Sequence, residues 1–365
     1  MKRYLKFKNK MNINILLYLM IIVISMGLMV LFDYTNNDYA ISIVERALIY
    51  SVVALSMNMV TGFTGLFSLG QAGFMAIGAY ITAMFTIPIE YKLDVYYADG
   101  ILPVLEKAIL PTPIAIIIGG LIAAFFAALI GIPILKLKSD YLAIATLGFS
   151  EIIRAIISSS MMEKITNGSL GLFMIPPFNS SLQCFIYCLV PIIFMILIIN
   201  SSTGRDFKAI REDETAARAV GINIFKTKEL SFVVSSFFTG IGGGLLAMFM
   251  QSIKGDLFTI SLTYEILLMV VLGGIGSITG SIVGAFFVSI GQEWLRFFDE
   301  PFSVAGVNIP LFKPGFRMVI FSILLMVVVL FFRKGLLGGK ELSINKFKKF
   351  KRGKVLNDNS EGGNF

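Results

Sequence analysis

Histidine does not occur in this chain of 365 residues. Its absence removes Ser–His and Cys–His nucleophile pairs, and with them the imidazole that many metal and proton-transfer sites use. Cysteine is nearly as scarce. Cys184 and Cys188 are the two present, four apart in an apolar run, a spacing that puts both on one helix face. A zinc site needs about four ligands and the others are missing. The pair therefore reads as small apolar packing residues, not as a metal site or a disulfide framework. Charge is sparse as well: Asp, Glu, Lys and Arg make up 15% of the chain, against about 25% in soluble domains. No Gly-x4-Gly-Lys-Ser/Thr segment occurs, which excludes ATP binding through that loop. Paired carboxylates within an apolar run are also missing. No catalytic constellation is visible, the chain is not read as an enzyme, and no cofactor or metal is expected.

What abounds is apolar. The chain is 56% hydrophobic with 33 Phe and 18 Met, and its mean hydropathy is +0.83. That composition points to an all-α, polytopic integral membrane protein. The net charge of +8 sits beside apolar runs, so it sets topology rather than binding nucleic acid.

Lys and Arg concentrate in four segments. Residues 1–10, 136–138, 201–228 and 333–365 hold five, two, six and nine of the 31, which places these segments in the cytoplasm. The loops at 90–113 and 292–315 are net acidic and face outside. Residues 13–32 follow the basic start as an uncharged run long enough for one crossing, and "VLFDYTNNDYA" after it offers no small-residue cleavage site, so a retained first helix is expected. Further runs at 114–135, 141–157, 184–200, 230–250 and 316–332 read as spans. Parity then requires an even number of crossings at 47–60 plus 66–87, and again at 264–272 plus 277–291. The total is about ten transmembrane helices with both termini cytoplasmic; eight full spans plus two re-entrant hairpins fit the same parity.

Two apolar stretches are broken by glycine: "TGFTGLFSLGQAGFMAIGAY" (61–80) and "LGGIGSITGSIVGAFF" (272–287). In each, Gly-x-x-Gly is followed by hydroxyl residues. One reading is helices broken at membrane depth, where freed backbone lines a substrate path. The candidates are Asn58, Gly62, Gly65, Ser68, Gln71, Gly73, Gly273, Gly274 and Gly276. The other reading is close helix packing through small residues. "GGGLLA" (242–247) lies within a span with no strand before it and reads as packing. Other polar groups at depth are Glu151, Arg154, Gln292 and Glu293, the first two forming a simple i,i+3 pair.

The charged loop 201–228 carries six basic and four acidic groups. Ile210, Ala217, Val220 and Ile224 recur at helical spacing as a narrow apolar stripe, and Gly221 can stop the helix. A helix this short gains order by docking, on its own bundle or on a partner.

Glu214-x-Ala216-Ala217-x-x-x-Gly221 resembles the coupling-helix signature of ABC-importer permeases. The likeness is wider. "SMNMVTGFTGLFSLGQAGFMAIGAY", "SDYLAIATLGFSEIIR", "GRDFKAIREDETAARAVGIN", "EILLMVVLGGIGSITGSIVGA" and the closing "FRKGLLG" resemble, in order over about residues 45–340, the branched-chain amino acid ABC permease family of LivM type. The resemblance implies a permease subunit of an amino acid importer in the bacterial plasma membrane. Its partners would be a sister permease, two cytoplasmic ATPases and an extracytoplasmic solute-binding protein. It implies ATPase coupling through Arg205, Arg211, Glu212, Asp213, Glu214, Ala217 and Gly221. Urea, amides or sugars are alternative solutes, and a secondary transporter or channel is an alternative class. The expected organisation is a transmembrane domain over 1–339, with its coupling loop at about 203–228, and a disordered basic tail over 340–365 that meets anionic lipid. Members of that family often carry histidine after Ser-Leu-Gly. Here that position is Gln71, so no pH-sensing imidazole acts there.

The charge distribution makes a direct prediction. A cysteine placed at Thr215 should resist an impermeant thiol reagent in intact cells, whereas cysteines at Gly100 and Ala305 should label; labelling at 215 from outside would invert the topology.

Overall fold

The computed structural model describes residues 38–97, 100–137 and 139–295, with isolated positions at 27, 303–304, 307–308, 319–320, 322–323 and 326. The expected first helix at 13–32, nearly all of the last span at 316–332, the tail at 340–365 and residue 305 lie outside the described residues. Described elements are overwhelmingly helical. In chain order they are α1 (Asp38–Asn58) with a π-helical turn (Met59–Phe63), α2 (Gln71–Thr86), α3 (Ile89–Val95), α4 (Pro103–Glu106), α5 (Thr112–Ile134), α6 (Ser139–Ile157), α7 (Glu163–Thr166), α8 (Ser181–Asn200), α9 (Ser202–Glu212), α10 (Glu214–Ala219), α11 (Ile224–Met250), α12 (Ile260–Gly273) and α13 (Ile278–Trp294). A two-residue antiparallel ribbon, β1 (Ser303–Val304) with β2 (Val307–Asn308), follows.

Five helices among the described residues are long and apolar enough to cross a membrane, or six if the pair Tyr141–Ile157 and Ser160–Thr166, bent by 62°, counts as one span. The difference from the expected ten has a physical reason beyond the undescribed ends. At 16 and 17 residues, α2 and α13 are about 24–26 Å long at 1.5 Å per residue, short of the roughly 30 Å hydrocarbon core. Irregular backbone at 64–70 and 274–277 precedes them. The apolar run at 66–87 is thus part irregular chain and part helix.

Helix starts follow from local chemistry. Ser180, Ser201, Asp213, Asn223 and Ser277 each accept a hydrogen bond from a first-turn N–H of the helix that follows, and each is a preferred N-cap type. Cys184 and Cys188 are both fully buried free thiols on one face of α8, as their spacing implied.

Successive long elements run antiparallel, so loops gather at two ends. At the first end, segments 87–111, 158–180 and 251–259 are knitted by hydrogen bonds. Leu102 N donates to Lys164 O, Tyr96 Oη to Ile165 O and Asn167 Nδ2 to Val95 O. Leu172 and Ile253 exchange backbone bonds at 2.9 and 2.8 Å. The Lys92 ammonium is buried here, donating to the carbonyls of Leu105 and Ala108, and burial pushes its pKa down. At the second end, the charged loop 201–223 meets residues 62–65 and 274–277.

Between the ends, α2, α5 and α11 approach one another through small residues. A Cβ on Gly78 would stand 2.0 Å from Gly240 O, and one on Gly243 would stand 2.1 Å from Met75 O. Within a membrane such close backbone contact supplies the packing energy between helices. The reading of 242–247 as packing holds. Gly78→Leu or Gly243→Leu should therefore cost more than about 3 kcal/mol by overpacking against rigid backbone and strip the protein from the membrane fraction. Gly148→Leu, with no atom within 4 Å of the added Cβ, should keep normal levels; equal levels for all three by immunoblot would refute the packing account.

Candidate functional site

Two glycine turns and one arginine converge at the charged end. The first turn follows α1. After Asn58 the chain widens into a π turn, and Leu66 N closes back on Val60 O at 3.0 Å. Gly65 then takes φ +78°, a left-handed conformation that glycine adopts without steric cost. The second turn links α12 to α13, with Gly274 at φ 118° and Gly276 at φ 78°. Single π turns recur at functional positions in helices.

Asn58 joins the two turns. Its Nδ2 donates to Ser277 O at 2.9 Å and to Ser281 Oγ at 2.6 Å, and its Oδ1 accepts from Gly276 N at 2.8 Å. Both amide protons and one acceptor site are used. Asn58 is fully buried, so these bonds satisfy groups that water does not reach. The turns touch: a Cβ on Gly62 would lie 2.5 Å from Gly276 N.

Arg211, near the C-terminus of α9, lies over both turns. Its Nη1 donates to Gly62 O at 2.8 Å. A Cβ on Gly65 would stand 3.0 Å from Arg211 Cγ, and one on Gly276 would stand 2.6 Å from Arg211 Nη1. Glu212 Oε1 accepts from Arg211 Nη2 at 2.6 Å, which fixes the guanidinium from the solvent side. One turn earlier, Lys208 Nζ sits 5.3 Å from the centre of the Phe63 ring, a cation–π contact with the π turn.

The sequence-based candidates thus divide. Asn58, Gly62, Gly65, Gly274, Gly276 and Arg211 come together. Gly273 lies beside them, its absent Cβ leaving room for Gly280 O at 2.0 Å. Ser68, Gln71 and Gly73 belong to a second buried group. Gln71 Oε1 accepts from Thr239 Oγ1, Thr239 shares a 2.8 Å hydrogen bond with Ser56, and Ser235 Oγ donates to Ser56 O at 2.7 Å. These bonds tie the start of α2 to α1 and α11. Leu69 N donates to Thr146 Oγ1 at 2.9 Å, and Gly73 abuts Ser150 on α6. Gln71 at 2% exposure and Ser68 at 1% are packed among protein side chains.

On the loop, Asp213 caps α10 and Glu214 pairs with Lys228. Arg205 and Gly221 are exposed, and Gly221 has φ +90° with open space around it. The expected apolar stripe splits. Ala217 is 3% exposed against its own chain, while Val220 is 77% exposed. Val220 still bonds its N–H to Ala216 O, but as the C-cap of α10 it stands past the packed part of the helix and no segment of the described chain covers it. Sequence reasoning missed Arg46 and Glu265, an ion pair between α1 and α12 at 3.7 Å. The available signal was the lone Glu265 in one apolar run and the Glu45–Arg46 dipeptide at the edge of another. Glu151 and Arg154 form the expected i,i+3 pair at 2.7 Å.

Residues 39–330 match the family described as "Branched-chain amino acid transport system / permease component". The chain is 30% identical over 72% of its length to the high-affinity branched-chain amino acid transport system permease protein LivM of Salmonella typhimurium. It is 31% identical over 71% to the protein of the same name from Escherichia coli. The matched region spans 64% of the length of each of these two relatives. The probable branched-chain amino acid transport permease protein LivM of Methanocaldococcus jannaschii is 25% identical over 82% of this chain and 94% of that protein. No solved structure matches.

Asn58→Leu should lower the thermal aggregation midpoint of the detergent-solubilised protein by several degrees, because it strands the Gly276 N–H at about 1–3 kcal/mol. Ser281→Ala should cost less, since Asn58 keeps Ser277 O and Gly276 N. An unchanged midpoint for Asn58→Leu would mean that the turns hold each other without the amide.

Proposed function

Because this chain belongs to the branched-chain amino acid transport system permease family, we propose that it is the membrane-spanning subunit of an ATP-driven importer for branched-chain or similar small amino acids. Its partners are a sister permease, two cytoplasmic ATPases that hydrolyse the ATP, and an extracytoplasmic solute-binding protein. It lies in the bacterial plasma membrane as about ten helices, counting the glycine-broken α2 and α13, with both termini in the cytoplasm. The charged end faces the cytoplasm and the knitted end faces outside, in line with the Lys/Arg distribution.

The observation that carries this reading is the Arg211 hydrogen bond to Gly62 O, made while the same guanidinium crowds Gly276. A loop that touches both broken-helix turns can pass its displacement to both at once. The ATPase bears on the exposed side of α10. Ala216, Ala219 and Val220 are exposed there, spaced three and four apart on one face, with Arg218 beside them. Ala217 anchors the short helix to its own bundle instead. ATPase closure shifts α9 and α10, Arg211 moves the two turns, and the solute path between the bundles opens or shuts. The glycines serve this role by leaving room for the arginine.

In a reconstituted importer, Val220→Asp should reduce co-purification of the ATPase roughly tenfold, about 1.4 kcal/mol. Arg211→Gln should retain the ATPase and its hydrolysis while uptake falls tenfold or more. Ala217→Arg should lower permease levels, because it buries an unpaired charge at several kcal/mol. Normal uptake with Gln at 211 would sink the transmission role, and normal ATPase capture with Asp at 220 would move the docking face elsewhere.

A further inference from the structure

Near the knitted end, α1, α12 and α13 enclose a polar group that the account above does not use. Arg46 is the ninth residue of α1 and Glu265 the sixth of α12, so each lies about 8–12 Å in from its helix start at 1.5 Å per residue. Gln292, near the end of α13, stands between them. Arg46 Nη2 donates to Gln292 Oε1 at 3.0 Å. The direct contact between the charges is loose: Arg46 Nη2 is 3.7 Å from Glu265 Oε1. That oxygen is buried and has no hydrogen-bond partner among the described residues. The guanidinium also lies 5.5 Å from the centre of the Tyr50 ring.

The pair on α6 shows what a closed arrangement looks like. Arg154 Nε donates to Glu151 Oε2 at 2.8 Å and Nη2 approaches the same oxygen at 2.7 Å. Arg46 and Glu265 sit about 1 Å further apart than that. Charges within a membrane span are costly, and they mark solute or ion sites more often than bare scaffolding. A bare carboxylate oxygen calls for a cationic N–H donor. An arginine with five N–H donors, one of them committed to Gln292, calls for an anionic acceptor.

We propose that Arg46, Glu265 and Gln292 form an outer site for the charged end of a free amino acid, with its α-carboxylate on Arg46 and its α-ammonium on Glu265 Oε1. The proposal rests on the importer reading. It selects for a zwitterion and leaves the side chain of the solute unread.

The test uses the assembled wild-type importer in proteoliposomes. Dicyclohexylcarbodiimide, which modifies carboxyl groups in apolar surroundings, is applied with and without saturating L-leucine, and modification of each carboxyl is followed by peptide mass spectrometry. Leucine should slow modification of Glu265 at least tenfold and leave Glu151 unaffected. 4-Methylpentanoate, which lacks the ammonium, and 3-methylbutylamine, which lacks the carboxylate, should not protect. An unchanged rate with leucine, or equal protection by either analogue, overturns the site. The doubly neutral variant Arg46→Gln with Glu265→Gln gives a second reading. It should reach the membrane and lose at least tenfold in leucine uptake, whereas normal uptake makes the pair scaffolding and overturns the site; if it does not assemble, the protection assay decides. Uptake without protection removes this site and spares the importer reading; protection without any uptake does the reverse.

Discussion

The buried side-chain amide of Asn58 is the interaction on which the second end of the molecule depends. Two helices stop inside apolar surroundings, and each stop frees backbone groups that lipid cannot satisfy. One amide answers the need, binding the Gly276 N–H and the Ser277 carbonyl across more than 200 residues of sequence. Bringing the turns together puts Gly62 O beside Gly276. That juxtaposition makes a seat for one guanidinium, and the seat in turn orders a loop whose helices are too short to persist alone. Each step needs the one before it.

A different adhesive holds the interior. Lipid tails give helices no hydrophobic reason to associate, so close backbone contact and interhelical hydrogen bonds do the work. The α2–α5–α11 contact at Gly78, Gly240 and Gly243 supplies the first. The Ser56, Gln71, Ser235 and Thr239 group supplies the second, and it sits where α2 begins deep in the bundle rather than at its surface. Gln71 spends its amide on Thr239 and Ser235. A residue that stands in the first glycine block as a path candidate is therefore also a tether for an irregular chain segment.

Much of this was legible in sequence. Apolar run length marked the long helices. The glycine blocks at 61–80 and 272–287 read equally as broken helices or as close packing, and Gly221 as a residue that can stop the loop helix. What composition and spacing could not convey was pairing. Nothing local in "SMNMVTG" says that Asn58 reaches Ser277, or that Arg211, while paired with Glu212, also reaches Gly62. The Ala217–Val220 stripe failed for a related reason. Helical periodicity says which residues share a face, not how far along that face the rest of the bundle reaches, and Val220 at the C-cap of α10 lies beyond that reach. Arg46 and Glu265 escaped notice because Arg46 sits beside Glu45 and Glu265 stands alone in its apolar run, and they become a pair only through the packing of α1 on α12.

The hydrogen bonds between the 87–111, 158–180 and 251–259 segments carry a mechanical consequence. Backbone-to-backbone links such as Leu172 with Ile253 and Leu102 with Lys164 resist shear between neighbouring loops, because every link would have to break together. The opposite end meets its loop through long side chains over glycine, contacts that swivel without breaking main-chain bonds. The molecule is thus stiff at one pole and compliant at the other. Strain applied to the charged loop is therefore borne by side-chain contacts over glycine before any main-chain link at the far rim is loaded.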